Sequence, residues 1–311
     1  MNIIVTGAAG LVGQNLVPML IKNRHKVVAI DRNEHNLALL QRLNPAIKAA
    51  RADIAAPGDW AEAFAQADIV IQLQAQIASP QNAPFVRSNI AAVDRVLDLC
   101  KKHGVKHLIH LSSSVVISVG KDEYARTKRE GEQLVAASSV PHSILRPPLM
   151  YGCFDAKHLG WLARFMDKTP IFPVPGRGTY FRQPLFVPDL CNVILKLIAR
   201  GPDNRIHNII GHEKIPFITI LKMIAKEKGL KRLFVPIPLP IFSLLLRVYA
   251  FILRKPAFTA DQLRALVAGD DFPVENWSKE FGVRYTPFKE GLHKTWHSDC
   301  TKYAKEMVSP H

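Results

Sequence analysis

Residues 2–22 constrain the fold more tightly than any other stretch of the chain. Asn2-Ile3-Ile4-Val5 is an apolar run that reads as a buried strand. Thr6-Gly7-Ala8-Ala9-Gly10-Leu11-Val12-Gly13 follows at once, and Gln14 to Lys22 then places Leu16, Val17, Leu20 and Ile21 at helical spacing. Strand, glycine turn and helix in that order make a phosphate cradle. The glycines permit a tight turn and close backbone approach, and the N–H groups and dipole of the helix start face the negative charge. The glycine spacing is G-x-x-G-x-x-G, and its setting between strand and helix predicts a dinucleotide site rather than a turn alone.

The next strand, Lys26-Val27-Val28-Ala29-Ile30-Asp31, ends in a carboxylate eighteen residues beyond Gly13. A Rossmann unit places there the acid that accepts hydrogen bonds from the adenosine ribose, and an acid repels a 2′-phosphate. NAD is therefore favoured over NADP, although Arg32 could hold such a phosphate. A short segment over Ala50–Ile54 leads to a helix from Pro57, further strands are expected over Ala67–Leu73 and His107–Leu111, and a long helix, opened by Asn89, runs from Ile90 to Lys102. The alternation predicts an α/β fold: a Rossmann-type doubly wound parallel sheet with right-handed crossovers.

A chain of 311 residues, 48% apolar, holds such a domain and a smaller lobe. The expected division is an NAD-binding domain over residues 1–150, joined by segments from about 178–210, and a C-terminal α/β substrate lobe over 151–311. The net charge of +15 is spread along the chain without an aromatic-basic module, which argues against nucleic acid and leaves a membrane surface or a polyanionic substrate open. Cys100, Cys153, Cys191 and Cys300 are scattered, so neither a zinc site nor a disulfide framework is expected, and a reducing cytoplasmic setting follows. Met1 leads straight into the first strand, which reads as the absence of a leader peptide.

Tyr124-Ala125-Arg126-Thr127-Lys128 opens a helix behind the serine-rich end of the His107–Leu111 strand. Tyr and Lys at i and i+4 share a helical face. A phenol is a poor base at neutral pH, but an adjacent ammonium lowers its pKa. With a strand-end serine hydroxyl at the reacting oxygen, the trio suits proton transfer coupled to hydride transfer at a carbinol carbon.

These stretches, with Arg146 to Gly152 and Gly178 to Leu190, resemble the extended short-chain dehydrogenase/reductases, specifically the nucleotide-sugar epimerases and dehydratases. The resemblance runs to about Pro287. It implies an NAD-dependent oxidoreductase or isomerase acting on a nucleotide sugar, a homodimer, and a place in cell-surface polysaccharide synthesis. Non-catalytic NAD(P)-binding subunits and reductases of non-sugar or lipid-linked carbonyls are the alternatives. By position, the resemblance gives Gly7, Gly10, Leu11 and Val12 to the pyrophosphate, Asp31 and Arg32 to the ribose, and Asp53 and Ile54 to the adenine. Leu73, Gln74, Ala75 and Pro147 would flank the nicotinamide side. Tyr124 would be the base and Lys128 its tuner and ribose donor, with Ser114 the preferred hydroxyl and Ser113 its neighbour in register. Arg182 would pair with a substrate diphosphate, and Leu149, where members often carry Asn, and Gln76 would meet the substrate.

In the last third, Phe154 to Thr169 reads as a helical insert with Trp161, Leu162 and Phe165 on its apolar face. Ile241 to Leu253, carrying Arg247, is too short and interrupted to span a bilayer. It reads as a core or dimer helix, or as an interfacial helix whose flanks Lys228, Lys231, Arg232, Arg254 and Lys255 meet anionic lipid on the inner face of the membrane. Asp270, Asp271 and Glu275 are expected to be caps and solvated acids. His293 and His297 lack an evident third ligand, so no metal is expected.

Overall fold

The structure is a computed structural model that describes residues 1–118, 122–252 and 260–307. Its first half alternates β1 (Asn2–Thr6), α1 (Leu11–Lys22), β2 (Lys26–Asp31), α2 (Glu34–Leu43), β3 (Lys48–Arg51), β4 (Ile69–Gln72), α3 (Ala83–Val86), α4 (Ala92–His103), β5 (His107–Leu111), α5 (Glu123–Ala136) and β6 (His142–Arg146). The lobe adds β7 (Met150–Tyr151), α6 (Leu159–Lys168), β8 (Ile171–Pro175), β9 (Phe181–Arg182) and β10 (Leu185–Phe186). Next come α7 (Val187–Arg200), β11 (Ile206–Asn208), β12 (Ile215–Pro216), α8 (Phe217–Glu227), β13 (Leu233–Ile237) and α9 (Leu239–Ile252). Helices α10 (Ala260–Ala268), α11 (Trp277–Phe281), α12 (Phe288–Trp296) and α13 (Cys300–Ala304) complete it.

Seven strands form one parallel sheet in the order β11-β6-β5-β4-β1-β2-β3. Successive side chains of β1 leave opposite faces, so Ile3 and Val5 pack under α1 and α7 while Ile4 packs under Trp60, Phe64 and α4. Both faces are thus buried, which is why the strands read as continuous apolar runs. The strand order reverses between β1 and β4, opening a crevice at their carboxyl ends where open α/β sheets bind ligands. Helix α7 and strand β11 return to this sheet, Ile206 pairing with Ile144, while α6, α8 and α12 build a separate core with Tyr151, Phe172 and Phe217.

Asn89 does not cap a helix. It is buried in a π-type turn over Arg87–Ala91, and α4 begins only at Ala92. Its amide exchanges hydrogen bonds with the Gln76 backbone at 2.9 and 3.0 Å and donates to the Thr127 hydroxyl at 3.0 Å. Helix α5 approaches this closely because residue 131 is glycine: a Cβ there would lie 2.2 Å from the Asn89 carbonyl oxygen.

Three expectations need correction. Cys153 and Cys300 form a disulfide across a separation of 147 residues, which no local spacing announces, while Cys100 and Cys191 stay free and buried. Beyond it the polar tail is tied down, with Glu306 accepting from Arg42 at 2.6 Å. Asp270 is a buried partner of Arg182 rather than a solvated acid. Glu227, at the end of α8, supplies a third ligand atom beside His293 and His297, at 2.8 and 3.2 Å. Among the described residues no helix is long and apolar enough to cross a membrane. Arg254 and Lys255 lie outside the described residues.

Candidate active site

Asp31 organises the nucleotide end of the crevice. Its carboxylate accepts from the Ala9 N–H at 2.9 Å and from the Asn33 N–H at 2.8 Å, tying the end of β2 to the glycine turn. Burial raises its pKa, opposed by those backbone donors and by Arg32. Gly7 has a left-handed φ of 69°, and a Cβ on it would stand 2.5 Å from the Gln74 nitrogen. Gly13 touches the opposite side, where a Cβ would lie 2.1 Å from the Ala8 carbonyl oxygen. No side chain caps α1 at Gly10, so the helix start directs its amides into the crevice.

A cavity of about 1000 Å³ runs from this turn into the lobe. Gly7, Gly10, Leu11, Val12, Asp31, Arg32, Asp53 and Ile54 line one end, with Leu73, Gln74, Ala75 and Pro147 following. Two features suit a bound dinucleotide: the turn that a Cβ would fill, and the buried Gln74 Nε2, which has no partner while its Oε1 accepts from Thr6 at 2.5 Å. Asp53 is engaged by Arg87 at 2.8 Å; burial pushes its carboxyl up, but that bond and the Ala55 N–H hold it below the usual range. Lys157, unnoticed in the sequence, is a second cation beside Arg32 and Asp31; burial and Arg32 lower its pKa.

Tyr124, Ser113 and Ser114 line the middle of the cavity. The phenol faces Ser113, whose hydroxyl favours its ionised form. Ser113, two residues beyond β5, has extended backbone and caps the short turn that follows, accepting from the Val115 N–H at 3.3 Å. Burial raises the Tyr124 pKa, the Ser113 bond lowers it, and nearby Asp122 raises it again. The expected lowering by Lys128 is therefore not what this arrangement produces. Lys128 is buried off the cavity wall, its ammonium donates to the Leu111 carbonyl at 2.8 Å, and desolvation lowers its pKa to about 8.

Behind Ser113 a buried network went unread in the sequence. Ser112 donates to Glu132 at 2.5 Å, and Arg146 holds the same carboxylate through both nitrogens of a fork. It joins the carboxyl ends of β5 and β6 to α5, which carries Tyr124.

Toward the lobe the walls become apolar, with Leu149 among them. Arg182 reaches the cavity with its charge already matched: Asp270 lies 3.1 Å from its Nε, which has no hydrogen-bond partner. Gln76 is off the wall, its side chain accepting from Arg32 at 2.8 Å and donating to the Ala78 carbonyl.

A model of the NAD dependent epimerase/dehydratase family matches residues 3–209. Among curated proteins, the chain is 24% identical over 251 residues to the 4-hydroxy-2-methyl-3-oxo-4-farnesyl-3,4-dihydroquinoline-1-oxide ketoreductase of Stigmatella aurantiaca, covering 74% of each chain. Two further curated relatives are matched over 62% and 61% of their length. Among solved structures, UDP-glucuronic acid 4-epimerase from Bacillus cereus in complex with NAD superposes with a TM-score of 0.74 at 22% identity, over 99% of this chain and 97% of that one. The dTDP-glucose 4,6-dehydratase of Bacillus anthracis str. Ames, also with NAD, gives 0.76 at 20% identity, over 98% and 97%.

Proposed function

The chain belongs to the NAD dependent epimerase/dehydratase family, and from that premise we propose that it is an NAD-dependent oxidoreductase moving hydride at a carbinol carbon. The observation that carries this is the Tyr124–Ser113 pair in the cavity that begins at the glycine turn. Bound NAD supplies the hydride acceptor or donor. Gly7, Gly10 and the start of α1 hold its pyrophosphate, and Asp31 accepts from the adenosine ribose. Tyr124 moves the proton at the substrate oxygen, Ser113 orients that oxygen and the phenol together, and Lys128 fixes the helix behind them through the Leu111 carbonyl.

A nucleotide sugar is the substrate of the first reading, with epimerisation or dehydration as the outcome and cell-surface polysaccharide synthesis as the setting. The sugar-nucleotide enzymes among the structural neighbours support it. A ketone reductase is the second reading, and a specific observation favours it. The phenol with a raised pKa is a proton donor at neutral pH, Arg182 is neutralised by Asp270, and the far walls are apolar. The Stigmatella aurantiaca relative is a ketoreductase. Incubation with NAD or NADH and a panel of UDP-, GDP- and dTDP-sugars and of ketones, followed by product analysis, separates the two. No turnover on any member would sink the enzyme reading.

The domain division at about residue 150, a homodimer, and a cytoplasmic position against the inner membrane face complete the proposal. Exposed Ile241, Leu244 and Val248 on α9, with Lys231 and Arg247 also exposed, support the membrane contact. Flotation with anionic vesicles at low salt tests it, and sedimentation tests the dimer.

A further inference from the structure

We propose that the lobe end of the cavity is a binding site for an aliphatic chain, so that the substrate is an amphiphile. Its polar head would present the reacting carbinol or ketone to Tyr124, and its hydrocarbon tail would lie between α6 and α9. The proposal rests on the hydride-transfer reading for the head and on separate observations for the tail.

The first observation is the wall. Trp161 and Phe165 of α6 stack at 5.6 Å, and Phe165 meets Phe172 of β8 edge-on at 5.4 Å. These three rings line the cavity, and Phe242 and Leu246 of α9 line it too. Large apolar side chains from separate elements converge on one space, as they do in pockets that take apolar ligands.

The charge in this end is the second observation. A diphosphate needs an uncommitted cation or a cluster of free amides. Arg182, the cation placed to receive one, already faces the Asp270 carboxylate at 3.1 Å, and Asp270 is itself buried. An incoming phosphate would meet that carboxylate at close range, whereas a methylene chain asks nothing of the pair.

The third is the mouth. Leu245 lines the cavity and is still 53% exposed, so α9 forms a lip with one apolar edge inside and one outside. Leu244, its neighbour, is 60% exposed and does not line the cavity. A chain leaving a micelle or bilayer would meet the Leu245 side chain at this lip. Each methylene that enters should tighten binding about fourfold until the site is filled.

The test uses the full-length protein with NADH. Tryptophan emission, with the Trp161 share taken as the difference between the parent and Trp161→Phe, is read against two homologous series carrying a terminal bromine as quencher: bromoalkyl 3-oxo esters, and bromoalkyl glucosides for a sugar head. UDP-glucose is the chainless comparison. The expected result is quenching with Kd falling several-fold per added methylene in at least one series, which also identifies the head. Leu245→Glu should weaken the longest member at least tenfold, and Leu244→Glu less than twofold. Affinity independent of chain length, or equal losses in the two variants, would overturn the proposal. Tyr124→Phe should bind the chain as the parent does. Chain-dependent binding without Tyr124-dependent turnover would support the tail site and count against the hydride-transfer reading alone.

Discussion

Tyr124 is paired with Ser113, the residue just beyond β5 that precedes a short helical turn, and it is Ser113 whose hydroxyl works to lower the phenol pKa. Ser113 is the extended residue that caps the helical turn beginning at Ser114, so the two side chains leave the backbone in different local conformations. Ser113→Ala should lower kcat by about 10²-fold and displace the pH profile upward, because the bond that lowers the phenol pKa is lost. Ser114→Ala should leave the position of that profile unchanged.

Tyr124→Phe should retain bound nucleotide and lose turnover by roughly 10²–10⁴-fold, since the group that moves the proton is gone. Absorbance of the bound cofactor and a steady-state assay check the two halves separately. Equal activity in mutant and parent would refute the assignment.

Asp31→Ala should relax the preference for NAD over NADP by about tenfold, the equivalent of one hydrogen bond to a charged group. Titration with each dinucleotide measures it. Unchanged binding of both would remove Asp31 from the ribose.

Lys128 is a depressed-pKa cation, and the sign of its contribution is set by that. The folded state releases its proton near pH 8, while the unfolded chain holds it to about 10.5. Between those values the unfolded state binds more protons, so stability rises with pH; below pH 8 the full cost of burying the ammonium is present. Urea unfolding across pH 7–11 should show this rise in the parent and lose it in Lys128→Met, a difference on the order of 3 kcal/mol at the two ends. Parallel pH curves would contradict the buried ammonium.

Cys300→Ser should cost about 2–4 kcal/mol of stability through the loss of the Cys153 link. In denaturant without reductant, two of the four cysteines should react with a thiol reagent, and all four after reduction. Four reactive thiols without reductant would exclude the link.

The glycine turn, Asp31 and the parallel strands were legible because each depends on neighbours within a few residues: a Gly at a left-handed φ, a strand-end acid, an apolar run buried on both faces. What stayed hidden depends on distant partners. Asp270 looked solvated because nothing beside it indicates that Arg182 waits across the lobe. Asn89 looked like a helix cap because Asn usually is one, yet the Gln76 backbone and Thr127 claim its amide and open a π-type turn instead. That Lys128 does not act on the phenol here has the same origin, since the carbonyl its ammonium meets belongs to Leu111, on another element.

The Cys153–Cys300 bond closes a ring that contains β8 to β13 and α6 to α12. Because α7 and β11 lie inside that ring and also pack in the sheet domain, the closed ring is anchored to the nucleotide end by packing. A single protease cut anywhere within the ring therefore leaves one molecule, with its two pieces still joined at sulfur. Such a nicked protein would keep the crevice between the two halves assembled, and it would separate into fragments only in the presence of a thiol.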